Sequence, residues 1–323
     1  MKRNGHIALV LQRMIALPIL ASAIVCRSGG SPSLDTTLRV SELPPLDTEN
    51  ARKHSPIIGN LPSAAGSKQL RFQVFKVRGH RSIDELESQL GADLFMLVLK
   101  INRLDRKHIR SGELLVIPDA NAGLMSVSPF PLKLEVVRSI PKFVLVSRGA
   151  QAFGAYEFGE LVRWGPTSTG KKSTPTSAGL FHTNWRARET RSSVNASWVL
   201  PWCFNIDNSS GVSFHQFDLP GYPASHGCVR LFKEDAKWIY DWAEPWMLSQ
   251  SGNLVLAYGT PVVVFGDYSY GGNPPWKRLA DDPLATSISV AEIDKALNKY
   301  VTTISDRARL RESLIARLAQ KAD

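Results

Sequence analysis

Between Gly221 and Leu231 the sequence reads Gly-Tyr-Pro-Ala-Ser-His-Gly-Cys-Val-Arg-Leu, which sets Cys228 two residues after His226 and directly after Gly227. A thiol is a poor nucleophile until it ionises, and a nearby imidazole or positive field supplies that ionisation. His226 is one imidazole within reach in sequence, and His215 upstream is a second. Gly227 lets the backbone bend closely around a substrate carbonyl. The N–H groups around Gly227 and Cys228 could then hold an oxyanion. These residue types suit attack on a carbonyl by a cysteine.

The elements that must carry them are short strands. Trp198 to Ile206 predicts a strand with Trp198, Leu200, Trp202, Phe204 and Ile206 on one face. Asp207 to Gly211 is turn material, and Val212 to Phe217 returns with His215 on the face opposite Val212 and Phe214. Pairing Ile206 with Val212 puts Cys203 opposite His215, where facing side chains lie about 5 Å apart at Cβ. Cys203 is then either a wall of the site or a plain core cysteine; if the two thiols meet, oxidation would lock Cys203 to Cys228. Lys233 to Trp246 predicts a helix with Trp238, Ile239 and Trp242 as its buried stripe. Further strands are expected over Lys142–Ser147, Ala152–Glu157, Leu161–Trp164 and the Gly259-Thr260-Pro261-Val262-Val263-Val264 run, with a turn at Phe158-Gly159. Their Gly/Pro punctuation points to a β-sandwich or barrel-like core.

Ser225-His226-Gly227-Cys228-Val229-Arg230, with Ser168-Thr169-Gly170-Lys171, Thr174-Pro175, Gly179 and the Gly-Thr-Pro-Val-Val strand, resembles the L,D-transpeptidase (YkuD-type) catalytic domain over about Lys142 to Phe265. The resemblance implies a mainly β catalytic domain that cleaves before the terminal D-alanine of a peptidoglycan tetrapeptide stem. An acyl-cysteine forms, and its acyl group passes to a side-chain amine of a second stem. It further implies that Cys228 is the nucleophile and His215 the base, with Ser225, His226, Gly227 and Arg230 shaping the pocket and oxyanion hole, and it implies no cofactor. Two departures stand out. Gln216 occupies the place of a usual glycine, and the stretch from His215 to Cys228 is several residues shorter, which implies altered substrate access. His226 is the alternative base. An L,D-carboxypeptidase using water, a metal site built from His182, Cys203, His215, His226 and Cys228, and a non-catalytic wall-binding protein are the competing readings.

Ordinary composition, 43% hydrophobic and 21% charged, excludes a disordered or collagen-like chain. A net charge of +10 favours anionic partners such as nucleic acid, anionic lipid or cell wall, and the family resemblance implies the cell wall, with no nucleic acid expected. Three cysteines make no disulfide scaffold. Lys2, Arg3, the apolar Met14–Val25 and Ala21-Ser22-Ala23 read as a secretory signal, so the chain is expected to be exported to the periplasm or envelope, with a membrane anchor or lipidation at Cys26 as alternatives. Residues 26–69 read as a tether. Residues 70–118 read as strand, helix, helix, strand, with Ser82 and Glu85 as a capping box. With Gly79, Asn102, Gly112 and Ile117-Pro118 at their places, this unit resembles a degenerate LysM module, which implies binding to glycan strands; His80-Arg81-Ser82 stands where Asp-Thr-Leu is usual. The catalytic domain is placed at 133–268, and a helical tail at 285–323 opens on a Ser289–Glu292 capping box. In that tail Val290, Ile293, Leu297, Tyr300, Val301 and Ile304 form a stripe expected to pack on the catalytic domain, with a weak point at Thr302–Asp306.

Overall fold

The computed structural model describes residues 70–321. The expected signal segment and tether, including Cys26, lie outside the described residues. No described helix is long and apolar enough to cross a membrane.

The chain begins with a small unit. Strand β1 (Phe72–Lys76) pairs antiparallel with β2 (Leu114–Pro118), and α1 (His80–Ile101) lies between them in sequence. Gly91, at φ 74° and ψ 164°, breaks α1 into the two helices expected. The capping box at Ser82 does not form. Gly79, at φ 139°, starts the helix earlier, so Ser82 Oγ sits inside the first turn, donating to the Gly79 carbonyl at 2.7 Å and accepting from the Arg78 N–H at 2.9 Å. Asn102 closes the helix onto β2 by bonding both the N–H and the carbonyl of Val116.

Two sheets follow. The first has the order β5-β4-β3-β13-β6, from β3 (Phe143–Ser147), β4 (Ala152–Glu157), β5 (Glu160–Pro166), β6 (Gly179–His182) and β13 (Pro261–Phe265). The second has the order β10-β9-β8-β7, from β7 (Arg186–Arg191), β8 (Val199–Asp207), β9 (Val212–Gln216) and β10 (Val229–Leu231). Val144, Val146 and Phe153 of the first sheet meet Phe204, Phe214, Val229 and Leu231 of the second in one core. Phe143, Leu145 and Trp164 pack on the other face of the first sheet, against the C-terminal helices and part of α1. Burial on both faces is why β3 and β13 are unbroken apolar runs rather than alternating ones.

Helix α2 (Lys233–Trp242) follows β10. It ends four residues sooner than expected, because Ala243 is extended and Pro245 cannot continue the ladder. Ile239 is fully buried on it, while Trp238 and Trp242 are half-buried and stack on each other at 4.7 Å. The short hairpin of β11 (Met247–Leu248) and β12 (Val255–Ala257) leads to β13. At the C-terminus, α3 (Val290–Leu297) is capped by Ser289 Oγ, which accepts from the Glu292 N–H at 3.1 Å. The break before α4 (Val301–Gln320) falls at Asn298–Tyr300 rather than at Thr302–Asp306. Burial of Ile304 outweighs the small helix penalty of the two threonines. Ile293, Leu297 and Ile304 pack on the first sheet, whereas Val290 at the helix start is exposed.

Buried charges fasten the small unit to the sandwich. Lys100 Nζ lies 2.6 Å from Asp235 Oδ2, and Arg163 Nη2 lies 2.7 Å from Asp235 Oδ1, with Asp235 completely buried. Arg103 is buried between the rings of Trp164 and Trp276, at 5.5 and 5.3 Å from their centroids, and donates to the carbonyls of Ala150, Lys100 and Ile101. Burial lowers its pKa to about 9.

Candidate active site

The cleft opens on the outer face of the second sheet. β8 and β9 pair antiparallel, with Phe204 opposite Phe214 and Asn205 opposite Ser213, and a bulge follows before Asp207 and Val212. Phe204 and Phe214 point into the core, so their odd-numbered neighbours Cys203, Ser213 and His215 point into the cleft. β10 runs parallel to β9 with Arg230 beside His215 and Val229 beside Phe214. Val229 and Leu231 are core residues, which leaves Cys228 and Arg230 on the cleft face. Cys228, immediately before β10, is thus diagonal to His215 on the neighbouring strand, about 8 Å away at the backbone from strand spacing and rise. An imidazole and a thiol can meet across that gap.

The single apolar face expected for Trp198–Ile206 is not observed. Trp198 and Leu200 line the cleft, whereas Trp202 turns to α2 and packs on Tyr240 at 5.5 Å. Trp202 has φ 54°, which flips the alternation within the strand. That flip puts Leu200 and Cys203 on the same wall.

His215 is 3% exposed, and its Nδ1–H donates to the Gln216 carbonyl at 3.0 Å. Nε2 is left with a free lone pair. Burial, helped by the Arg230 charge, pushes its pKa down to about 4, so the ring is neutral at neutral pH. Cys228 is half-buried. Burial raises its thiol pKa, opposed by the Ser213 backbone N–H and the Arg230 charge. Both groups are therefore uncharged at neutral pH rather than a preformed ion pair. The Cys228 Sγ donates to the Gly211 carbonyl at 3.7 Å and makes no hydrogen bond to either histidine.

The loop before Cys228 is strongly held. Ser225 Oγ donates to the Cys228 carbonyl at 2.6 Å and accepts from the Gly227 N–H at 3.1 Å. This corrects one expectation, since the Gly227 N–H is already used and cannot serve an oxyanion. The Cys228 N–H has no acceptor among the described residues and stays available. Thr176 Oγ1 donates to the Gly227 carbonyl at 2.7 Å and accepts from the Gly170 N–H at 2.9 Å. Gly170 is tight against this turn: a Cβ there would lie 2.1 Å from the Thr174 carbonyl oxygen.

His226 is exposed, stands 5.3 Å from the Trp198 ring and faces Lys171 Nζ at 3.0 Å from its Nε2. With that nitrogen engaged by an ammonium, His226 is the poorer base. Cys203 is 1% exposed, and burial pushes its thiol up to about 12. It lines the cleft, but β9 separates it from Cys228. Two inter-strand spacings make about 9.5 Å, beyond the ~7 Å that a disulfide spans. The expected lock between the thiols does not fit this geometry. His182 lies away from the cleft, on β6, lining a cavity of about 350 Å³ under α4, where Arg307 Nη1 is 3.3 Å from its Nδ1. Burial and the Arg307 charge push it down to about 3. Among the described residues no three His, Cys, Asp or Glu side chains are grouped to hold a metal ion.

The cleft, about 200 Å³, is also lined by Arg191 and Ser213, which the sequence reading passed over. No carboxylate lines it, and Arg191 and Arg230 supply cationic walls. Strand alternation from His215 gives Ser213 at once; Arg191 arrives from β7, two strands away.

Residues 141–264 match the YkuD family model, the L,D-transpeptidase catalytic domain. This stretch carries β3 to β13, including His215 and Cys228, and excludes the small unit and the C-terminal helices. Nothing in the comparisons supports the LysM resemblance of residues 70–118. Solved L,D-transpeptidases are similar at a lower level. That of Stackebrandtia nassauensis is 24% identical over 40% of this chain and 57% of its own, with a TM-score of 0.32. L,D-transpeptidase 1 of Mycobacterium tuberculosis is 26% identical over 39% and 62%, at 0.30. That of Mycobacterium smegmatis is 21% identical over 39% and 59%, at 0.31. The chain therefore covers under two thirds of each. No curated protein matches the chain.

Proposed function

We propose that the chain is a peptidoglycan L,D-transpeptidase working through an acyl-cysteine at Cys228, and that it acts outside the cytoplasm. The observation that carries this reading is the shared cleft face of Cys228 and His215 on adjacent strands, with His215 Nδ1–H tied to Gln216 so that Nε2 is the acceptor. His215 Nε2 takes the thiol proton as Sγ attacks the carbonyl carbon before the terminal D-alanine of a tetrapeptide stem. The Cys228 N–H steadies the developing oxyanion. The imidazolium returns the proton to the departing D-alanine amine, leaving a thioester. An amine of a second stem then attacks, His215 takes its surplus proton, and that proton restores the thiol as the new amide forms. Ser225 and Gly227 hold the loop, and Arg191 and Arg230 receive the stem carboxylates. The carboxylate-free lining supports an anionic substrate.

Purified tetrapeptide muropeptides incubated with the protein and read by mass test this. Cross-linked dimers mean transpeptidation. Tripeptide products mean that water is the acceptor, the carboxypeptidase reading. An unchanged mixture with wild-type protein, or turnover persisting in Cys228→Ala, refutes the acyl-cysteine.

A further inference from the structure

The segment joining His215 to the Ser225–Cys228 loop does not fold on its own domain. Leu219, at its middle, is completely buried in the core of the small unit, among Ile83, Val98, Leu104 and Leu115. Phe232, just beyond β10, enters the same core from the other side of Cys228. The chain therefore hands the small unit one anchor before the cysteine and one after it.

The backbone is clamped as well. The Leu219 N–H donates to Asp105 Oδ2 at 2.8 Å, and the Asp105 N–H donates to the Leu219 carbonyl at 2.8 Å. Leu104 bridges Pro220, and Lys107 pairs with Asp218. The other oxygen of Asp105 is met by His108 Nδ1 at 2.7 Å and by the His108 N–H at 3.2 Å, which fixes the carboxylate itself. Asp105 is only 16% exposed at its side chain. A short connection has little slack, so its midpoint decides where its two ends sit. Those ends carry the proposed base and nucleophile, which share the cleft without a hydrogen bond between them.

We propose that Asp105 is a positioning residue of the active site: by clamping Leu219 it sets the spacing between His215 and Cys228. The inference rests on the roles proposed above for those two residues, and it makes the small unit part of the catalytic apparatus rather than an appended module.

The test uses the full chain and two readouts, turnover of tetrapeptide muropeptides and the pH dependence of Cys228 alkylation by iodoacetamide, located by peptide mass mapping. Asp105→Ala is expected to lower kcat/KM and the alkylation rate at neutral pH by about 10- to 100-fold, because ångström-scale misplacement of reacting groups costs that much. The loss falls on kcat more than on KM. Asp105→Asn keeps an acceptor for the Leu219 N–H and can donate from its amide to His108 Nδ1, giving up only the longer bond from the His108 N–H, and stays within about threefold of wild type. Glu113→Ala removes another attachment of the small unit, the 2.5 Å pair with Lys277, and leaves both rates near wild type. Asp105→Glu shifts the carboxylate by one methylene and slows alkylation by at least about fivefold, which keeps the test open if Asp105→Ala does not fold. Wild-type rates in Asp105→Ala or Asp105→Glu, or an equal loss in Glu113→Ala, overturn the proposal. If the wild type consumes no muropeptide while Cys228 reactivity still follows Asp105, the transpeptidase reading fails and the positioning role stands.

Discussion

His215 and Arg230 are register partners on the parallel pair β9 and β10, and both face the cleft. The guanidinium lies 4.5 Å from the centre of the Phe217 ring, which also contacts the His215 ring edge-on at 5.8 Å. A fixed positive charge thus stands beside the imidazole proposed as the base, which must be neutral to work, and beside the thiol proposed as the nucleophile, which must become negative. It opposes protonation of the imidazole and favours the thiolate.

The first prediction concerns pH. His215 titrates at about 4, so kcat/KM is expected to lose its acid limb near pH 4 rather than near the ~6.5 of a free imidazole. Arg230→Gln should move that limb upward. Between about 4 and 6.5 the unfolded chain holds a proton on this ring that the folded chain does not. The neutral-ring contribution to stability is therefore complete above about 6.5 and declines as pH falls toward 4. Initial rates and urea midpoints across this window check both signs.

Asp235 is the second. It is completely buried between Lys100 and Arg163, so Asp235→Ala leaves Arg163 without its carboxylate and Lys100 with only Glu234, 3.7 Å away. The expected loss is about 3–5 kcal/mol of unfolding free energy, read from urea denaturation. Because Lys100 belongs to α1 and Arg163 to β5, the small unit and the sandwich should weaken together.

Leu219→Ala is the third. Removing a fully buried leucine from the small unit's core should cost about 2–5 kcal/mol. Cys228 alkylation should slow in the same variant, although Leu219 touches neither the sulfur nor the base. A stability loss with unchanged alkylation would separate the core from the cleft.

Oxidation supplies the fourth. With β9 between them, Cys203 and Cys228 should not pair under mild oxidant, and their peptides should stay separate, with no disulfide-linked mass, in peptide maps. A linked peptide would require movement of β9 out of the sheet.

The common cleft face of Cys228 and His215 and most strands are legible because their signals are local: a short motif around the thiol, alternation along strands and glycine or proline at turns. Trp202 was not, since a tryptophan at positive φ carries no mark in composition, and the face it flips moved Leu200 from core to cleft. The Gly227 N–H is taken by Ser225 Oγ, a bond that depends on loop shape rather than on residue order. Helix starts showed the same limit, with Gly79 prevailing over the serine and glutamate that resemble a capping box. The Asp105–Leu219 clamp joins residues far apart in sequence, beyond any periodic pattern.

The burial of Leu219 and Phe232 bears on how this protein can be handled. Cutting the chain at residue 119 would strip two apolar plugs of their socket and uncover Asp235 on the side that Lys100 had shielded. Such a fragment should be prone to aggregate, and the intact chain should melt from the small unit through β13 in a single calorimetric peak.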